Sequence, residues 1–150
     1  MTARLRSRMQ STGTAQRAES RDDRFRTDLS DLGYPGFAHI PRTRRKPIPG
    51  ALLLSVLGMP DADARVVDAL PWVIENHAGK LDLPWLVRQA KLQNLQNRLG
   101  FLLQASGIQS PDFSPAIAEL DRARLLREDT LCWDSMPAAA REWMRTHRSP

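Results

Sequence analysis

The sequence predicts an all-α fold: a small domain of about five to six short helices over residues 51–150, preceded by a basic arm. Three observations point to it. Apolar residues recur at three- and four-residue intervals, as in Val66, Leu70, Val73 and Ile74, instead of alternating. Aspartate, serine and proline stand where helices would start, and glycine or proline where they would stop. Finally, 41% of the 150 residues are hydrophobic, enough for one core in a chain of single-domain length.

Residues 1–50 show no sustained apolar period. They close on Pro41, Pro47, Pro49 and Gly50 around the cluster Arg42, Arg44, Arg45 and Lys46, and so read as a flexible arm or linker. Phe25, Leu29, Leu32, Tyr34 and Phe37 are scattered within it and could supply a short helix or dock onto the domain. Charge separates the two parts. The first 50 residues hold 11 Lys/Arg against 5 Asp/Glu, a net +6, and the remaining 100 hold 11 against 12, a net −1. A basic arm on a near-neutral domain suits contact with phosphates, because each neutralised phosphate releases a counterion; a solvated tail is the plainer reading.

The domain is expected to open with Leu52, Leu53, Leu54, Val56 and Leu57, stopped by Gly58 and Pro60. Asp61 or Asp63 can cap the next helix, whose buried stripe is Val66, Val67, Leu70, Val73 and Ile74. Pro71 interrupts it, which predicts a kink or two shorter helices, and Gly79 ends the unit. Asp82 is an N-cap with Pro84 in the first turn of a helix that buries Leu83, Leu86, Val87 and Ala90. An apolar stripe of Leu92, Leu95, Leu99, Leu102 and Leu103 continues from it, with a helix break expected near Gln93 and Asn94. Gly107 and Pro111 mark a loop. Ser114 and Pro115 then have the form of a cap and first-turn proline for a helix through Ile117, Leu120, Ala123 and Leu125. Residues 127–133 break the period and suit a short hairpin, and a last helix over 136–146 turns Trp143 and Met144 inward.

Catalytic chemistry finds no foothold in this pattern. His39, His77 and His147 are far apart, and with Cys132 as the single cysteine neither a metal site nor a disulfide framework can be built. There is no nucleophile elbow, phosphate-cradling lysine loop or dinucleotide glycine fingerprint, so no catalytic residue and no cofactor is assigned. The pairs Asp61 with Asp63 and Glu128 with Asp129 read as caps and solvated turns, which favour carboxylates near exposed N–H groups. Trp72, Trp85, Trp133 and Trp143 read as core anchors, or as interface anchors. The longest apolar run, near Ala51–Leu57, is far short of the roughly 20 residues of a membrane span. With no apolar leader and a lone thiol, a cytoplasmic protein without membrane contact is expected.

Binding remains, in two forms. In the first, residues 83–104 act as a helix-turn-helix whose second helix offers Gln93, Asn94, Gln96, Asn97 and Arg98, flanked by Arg88 and Lys91, to base edges, since amides pair with adenine and guanidinium with guanine. In the second, the same polar faces meet a protein partner. The run Leu81 to Ala90 followed by Asn97-Arg98-Leu99-Gly100-Phe101-Leu102-Leu103-Gln104-Ala105-Ser106-Gly107 resembles the C-terminal domain of the abortive-infection AbiEi antitoxins of type IV toxin–antitoxin systems. The match centres on residues 66–107 and is most specific at Arg98 to Leu103. The resemblance implies a protein that neutralises a nucleotidyltransferase-like toxin and represses its own operon. Members of that family bind DNA through an N-terminal winged helix, which residues 1–50 are too short and irregular to form. Nucleic-acid contact then falls to Arg42, Arg44, Arg45 and Lys46, or to the 93–98 face. The expected function is a non-enzymatic antitoxin-like or regulatory binder of a partner protein. The alternatives are a small DNA-binding regulator and a structural subunit of a nucleoprotein complex.

Overall fold

The computed structural model describes residues 20–106 and 113–126, together with Gln16, Glu142 and Thr146. Among these residues the protein is all-α: helix α1 over 20–32, then α2 (Pro49–Leu57), α3 (Ala64–His77), α4 (Leu83–Leu92), α5 (Gln96–Ala105) and α6 (Ser114–Arg122). Short 3₁₀ turns at Pro35–Phe37 and Ala78–Lys80 join neighbouring helices. The hairpin expected at 127–133, the helix at 136–146, Cys132, Trp133, Trp143 and His147 all lie outside the described residues.

The arm expected over residues 1–50 needs correcting for its part from residue 20 onward. Phe25, Leu29 and Phe37 are buried in the same core as α2 to α6. Phe25 and Leu29 stand four residues apart on one face of α1, and burying each contributes about 1.5–3 kcal/mol. Polar bonds then tie α1 down on both sides. Arg26 bridges Asp23 on its own helix and Asp63 at the start of α3, while Asp22 accepts the Asp63 backbone N–H at 3.2 Å. Asp31 accepts both the N–H and the hydroxyl of Thr43, and the Ser30 hydroxyl donates to the Ile40 carbonyl at 2.7 Å. The short helix or docked segment that the apolar residues offered is thus both at once, a helix that docks by a narrow stripe.

Helix α1 stops at Gly33, whose φ of +93° is open to glycine at little steric cost. The N–H of Gly33 then reaches the Ser30 carbonyl and that of Tyr34 the Leu29 carbonyl, satisfying two otherwise orphaned acceptors. Helix α4 stops the same way without glycine. Asn94 takes φ +56°, its N–H meets the Lys91 carbonyl at 3.3 Å, and the N–H of Leu95 meets that of Ala90 at 2.8 Å. Asparagine is among the few residues other than glycine that tolerate this conformation.

The starts of the helices follow the expected chemistry with small shifts. Asp63 caps α3 by accepting the Arg65 N–H, and Asp82 caps α4 by accepting that of Trp85. Pro49, read above as linker, is the first residue of α2, where its missing N–H costs nothing. Ser114 is the first residue of α6 and not its cap, a place taken by Phe113. Pro71 lies inside α3, which nonetheless runs as one helix, since Val66, Ala69, Leu70, Val73 and Ile74 hold both halves to the core.

Helix α5 is the hub of this arrangement and packs against α2, α3, α4 and α6. Leu99, Leu102 and Leu103 are buried as expected, but so are Gln96, Asn97, Gly100, Phe101 and Ser106. Where α4 passes α2, the Trp85 ring lies beside Gly50 at a distance that would leave a Cβ there in ordinary contact, 3.5 Å from the ring.

Candidate functional site

Helix α5 has almost no solvent face, and this decides the fate of the recognition set. Gln96 and Asn97 are only 6% and 3% exposed. The Asn97 side chain accepts the Leu125 N–H at 2.9 Å and donates to the Leu125 carbonyl at 3.2 Å; Gln96 donates to the Ala123 carbonyl at 3.1 Å. Both amides therefore hold the segment after α6 in place, where the chain has left the helix and its backbone needs partners. Arg98 reaches the Leu57 carbonyl at 2.6 Å and so closes the C-terminal end of α2, where a cation is favoured. A base-reading role for Gln96, Asn97 and Arg98 is corrected on this ground, because two buried amides and a half-buried guanidinium bonded to backbone carbonyls do not present themselves to base edges. Of the remainder, Lys91 forms an ion pair at 2.6 Å with Glu119 of α6, whose carboxyl is held below its usual range by that hydrogen bond. Arg88 and Gln93 are exposed. The six residues thus do not form one surface.

The arm's cations behave differently. Arg42, Arg44, Arg45 and Lys46 are all exposed, in the segment between α1 and α2. Arg45 and Lys46 also border a groove of about 740 Å³. Two helix stripes build it. Arg21, Arg24, Phe25 and Asp28 come from α1 at i, i+3, i+4, i+7 spacing, while Ala51, Leu52 and Ser55 come from α2 at the same interval, with Ile48 just before that helix and Met59 just after it. Phe25, Leu52 and Met59 give an apolar floor, and Ile48, although large and apolar, is 67% exposed at its edge. Arg21, Arg24, Arg45 and Lys46 make the rim. None of the four enters an ion pair within 4 Å among the described residues. A single acid, Asp28, lies among them. Burial raises its carboxyl above the usual range, and the charges of Arg45 and Arg24 pull the other way.

Arg21, Arg24, Asp28, Ile48 and Met59 were not singled out by the sequence. The signal was present, in the helical spacing of 21, 24, 25 and 28, but a stripe with two arginines in it does not look like a helix face that lines a groove. A smaller recess of about 230 Å³ is lined by Tyr34, Gly36, Phe37, Arg65 and Asp68. Beside it, Trp72 packs edge-on between Tyr34 at 5.3 Å and His77 at 5.5 Å, and the His77 ring nitrogen Nε2 lies 3.3 Å from the Leu32 carbonyl. His77 thus serves the join between α1 and α3. No group of three His, Cys, Asp or Glu side chains is placed to hold a metal ion among the described residues. No helix among them is long and apolar enough to cross a membrane.

No protein-family model, curated protein or solved structure matches the chain. The run Arg98 to Leu103, the most specific part of the sequence resemblance noted over residues 66–107, lies within the hub helix α5.

Proposed function

We propose that this protein is a non-enzymatic binder of a partner protein, of the antitoxin-like or regulatory kind, and that it neutralises or controls that partner by docking. The observation that carries this reading is the groove between α1 and α2, with its apolar floor, exposed Ile48 and basic rim. Partner interfaces place an apolar centre inside a polar border, and this surface has that layout. The resemblance at Arg98 to Leu103 supports the antitoxin class, with a nucleotidyltransferase-like toxin as the partner it implies.

A second reading, nucleic-acid binding, is favoured by the exposure of Arg42, Arg44, Arg45 and Lys46. It runs through this cluster and not through a helix-turn-helix, because α5 cannot leave the core to enter a groove of DNA. It also covers the structural subunit of a nucleoprotein complex. The two readings respond oppositely to salt: phosphate-driven binding falls steeply as salt rises, whereas an apolar-centred complex persists. The test is capture of the tagged full-length chain from its host at low and at high salt, with protein and nucleic acid both identified. A stoichiometric protein retained at high salt is the expected result; nucleic acid that is lost at high salt with no protein remaining would transfer the assignment to the second reading.

A further inference from the structure

We infer that the groove between α1 and α2 is the seat for one amphipathic helix of an acidic partner, held by apolar anchors against Phe25, Leu52, Met59 and Ile48 with its carboxylates on Arg21, Arg24, Arg45 and Lys46. This rests on the partner-binding reading above and specifies its chemistry.

The argument begins with the walls. Each is a helix stripe at three- and four-residue spacing, so the space between them has the shape left by a missing third helix, and a helix with anchors at i, i+3, i+4 and i+7 fills such a space by ridges entering grooves. An added strand is excluded as the occupant here, since the groove offers no sheet edge. Charge then selects the partner. Four exposed cations face the groove against one carboxylate, none of the four in an ion pair among the described residues although Arg21 donates to the Met59 sulfur at 3.7 Å, so an acidic helix gains a complementarity that a neutral or basic one lacks. The floor distinguishes a peptide from a nucleic acid. A single strand is held by aromatic faces on which bases stack, but the groove's one aromatic ring, Phe25, is only 8% exposed and its other apolar groups are aliphatic or thioether. Exposed Ile48 gains from an apolar side chain and nothing from a phosphate.

Asp28 makes the inference sharper. It sits among the rim cations and would repel an incoming carboxylate while occupying the fields of Arg24 and Arg45. Asp28→Asn therefore tightens binding of an acidic helix.

The test uses the full-length chain and three fluorescent probes in polarisation titrations. The first is a helical peptide of about 18 residues with leucines at i, i+3, i+4, i+7 and flanking glutamates. The second is its scrambled isomer, and the third a single-stranded oligonucleotide of similar charge. The first peptide is expected to bind at least roughly tenfold tighter than the scramble, to weaken roughly tenfold with Ile48→Asp or Met59→Asp, and to tighten with Asp28→Asn. Ile48 is exposed, so that variant should melt as the wild type does. Equal binding of peptide and scramble, or binding of the oligonucleotide alone without response to Ile48→Asp, overturns the inference in favour of a charged phosphate-binding surface. No binding of any probe at 100-fold the concentration expected for a micromolar complex also overturns it. If Ile48→Asp and Met59→Asp still retain the host partner protein, the groove assignment fails while the partner-binding reading stands; absence of any host protein removes the reading itself.

Discussion

Two polar regions of this protein have similar composition and opposite roles. Residues 42–46 and residues 88–98 are both rich in arginine, lysine or amides, yet the first lies wholly in solvent and the second ends inside the core. The difference comes from what the chain does nearby. At 42–46 the backbone N–H groups of Thr43 and Arg45 take their side-chain partners from Asp31 and the Thr43 hydroxyl, so the cations stay in solvent. At 96–98 three carbonyls and one N–H, of Leu57, Ala123 and Leu125, need partners at places where helices end, and the polar side chains of α5 supply them. A polar residue in the first turn of an otherwise apolar helix is therefore as good a sign of a helix terminus packed against it as of a recognition surface.

The sharpest way to break this comparison is Asn97→Ala. It removes both bonds from a buried amide to the backbone of Leu125, itself half in solvent, and should cost about 1–3 kcal/mol, read as a lower midpoint in urea unfolding. A loss below about 0.5 kcal/mol would return Asn97 to the surface set. Asp63→Ala comes next, at about 1–2 kcal/mol, since it removes the cap of α3 and the partner of Arg26. This effect depends on pH with a definite sign. Burial pushes the Asp63 carboxyl up, but hydrogen bonds from Arg26 and the Arg65 N–H outweigh it and hold it below the usual range. The stabilisation is complete above an ordinary carboxylate value of about 4 and lost as pH falls through the lowered one, so wild type and Asp63→Ala should converge in acid. Arg98→Met should cost about 1–2 kcal/mol by opening the last carbonyl of α2 while keeping the packing of the stem.

The smallest effects test the other region. Gln96→Met loses one bond to Ala123 but also removes a buried carbonyl oxygen, Oε1, that has no hydrogen-bond partner, so the two changes should nearly cancel to within about 1 kcal/mol. Replacing Arg42, Arg44, Arg45 and Lys46 together with alanine should leave stability within about 0.5 kcal/mol per site. The same variant should bind acidic or phosphate-bearing partners more weakly and with a shallower salt dependence. A large loss of stability there would place the cluster with the structural set.

The sequence revealed the helices that bury broad stripes and carry strong caps. Asp63, Asp82 and the turn at Asn94 fall where residue types alone place them, and Leu99, Leu102 and Leu103 are core as read. It offered α1 only as a short helix or docked segment within an arm, because Phe25 and Leu29 are sparse apolar residues in a charged segment and only a partner surface makes sense of them. It misplaced Gln96 and Asn97 for a related reason. Helical spacing says which residues share a face, but not that this face meets the backbone of residues 123–125, distant in sequence.

The turn from α4 to α5 measures length as well as direction. Leu95 closes the end of α4 through Ala90 and receives the first bond of α5 from Leu99, so a single residue belongs to both helices and no slack separates them. Inserting one residue after Asn94 would advance α5 by about 100° around its axis. Leu99 and Asn97 would then leave the positions that face the core and residue 125, and the hub helix would be out of phase with all four of its neighbours at once. The turn should tolerate changes of residue far better than changes of length.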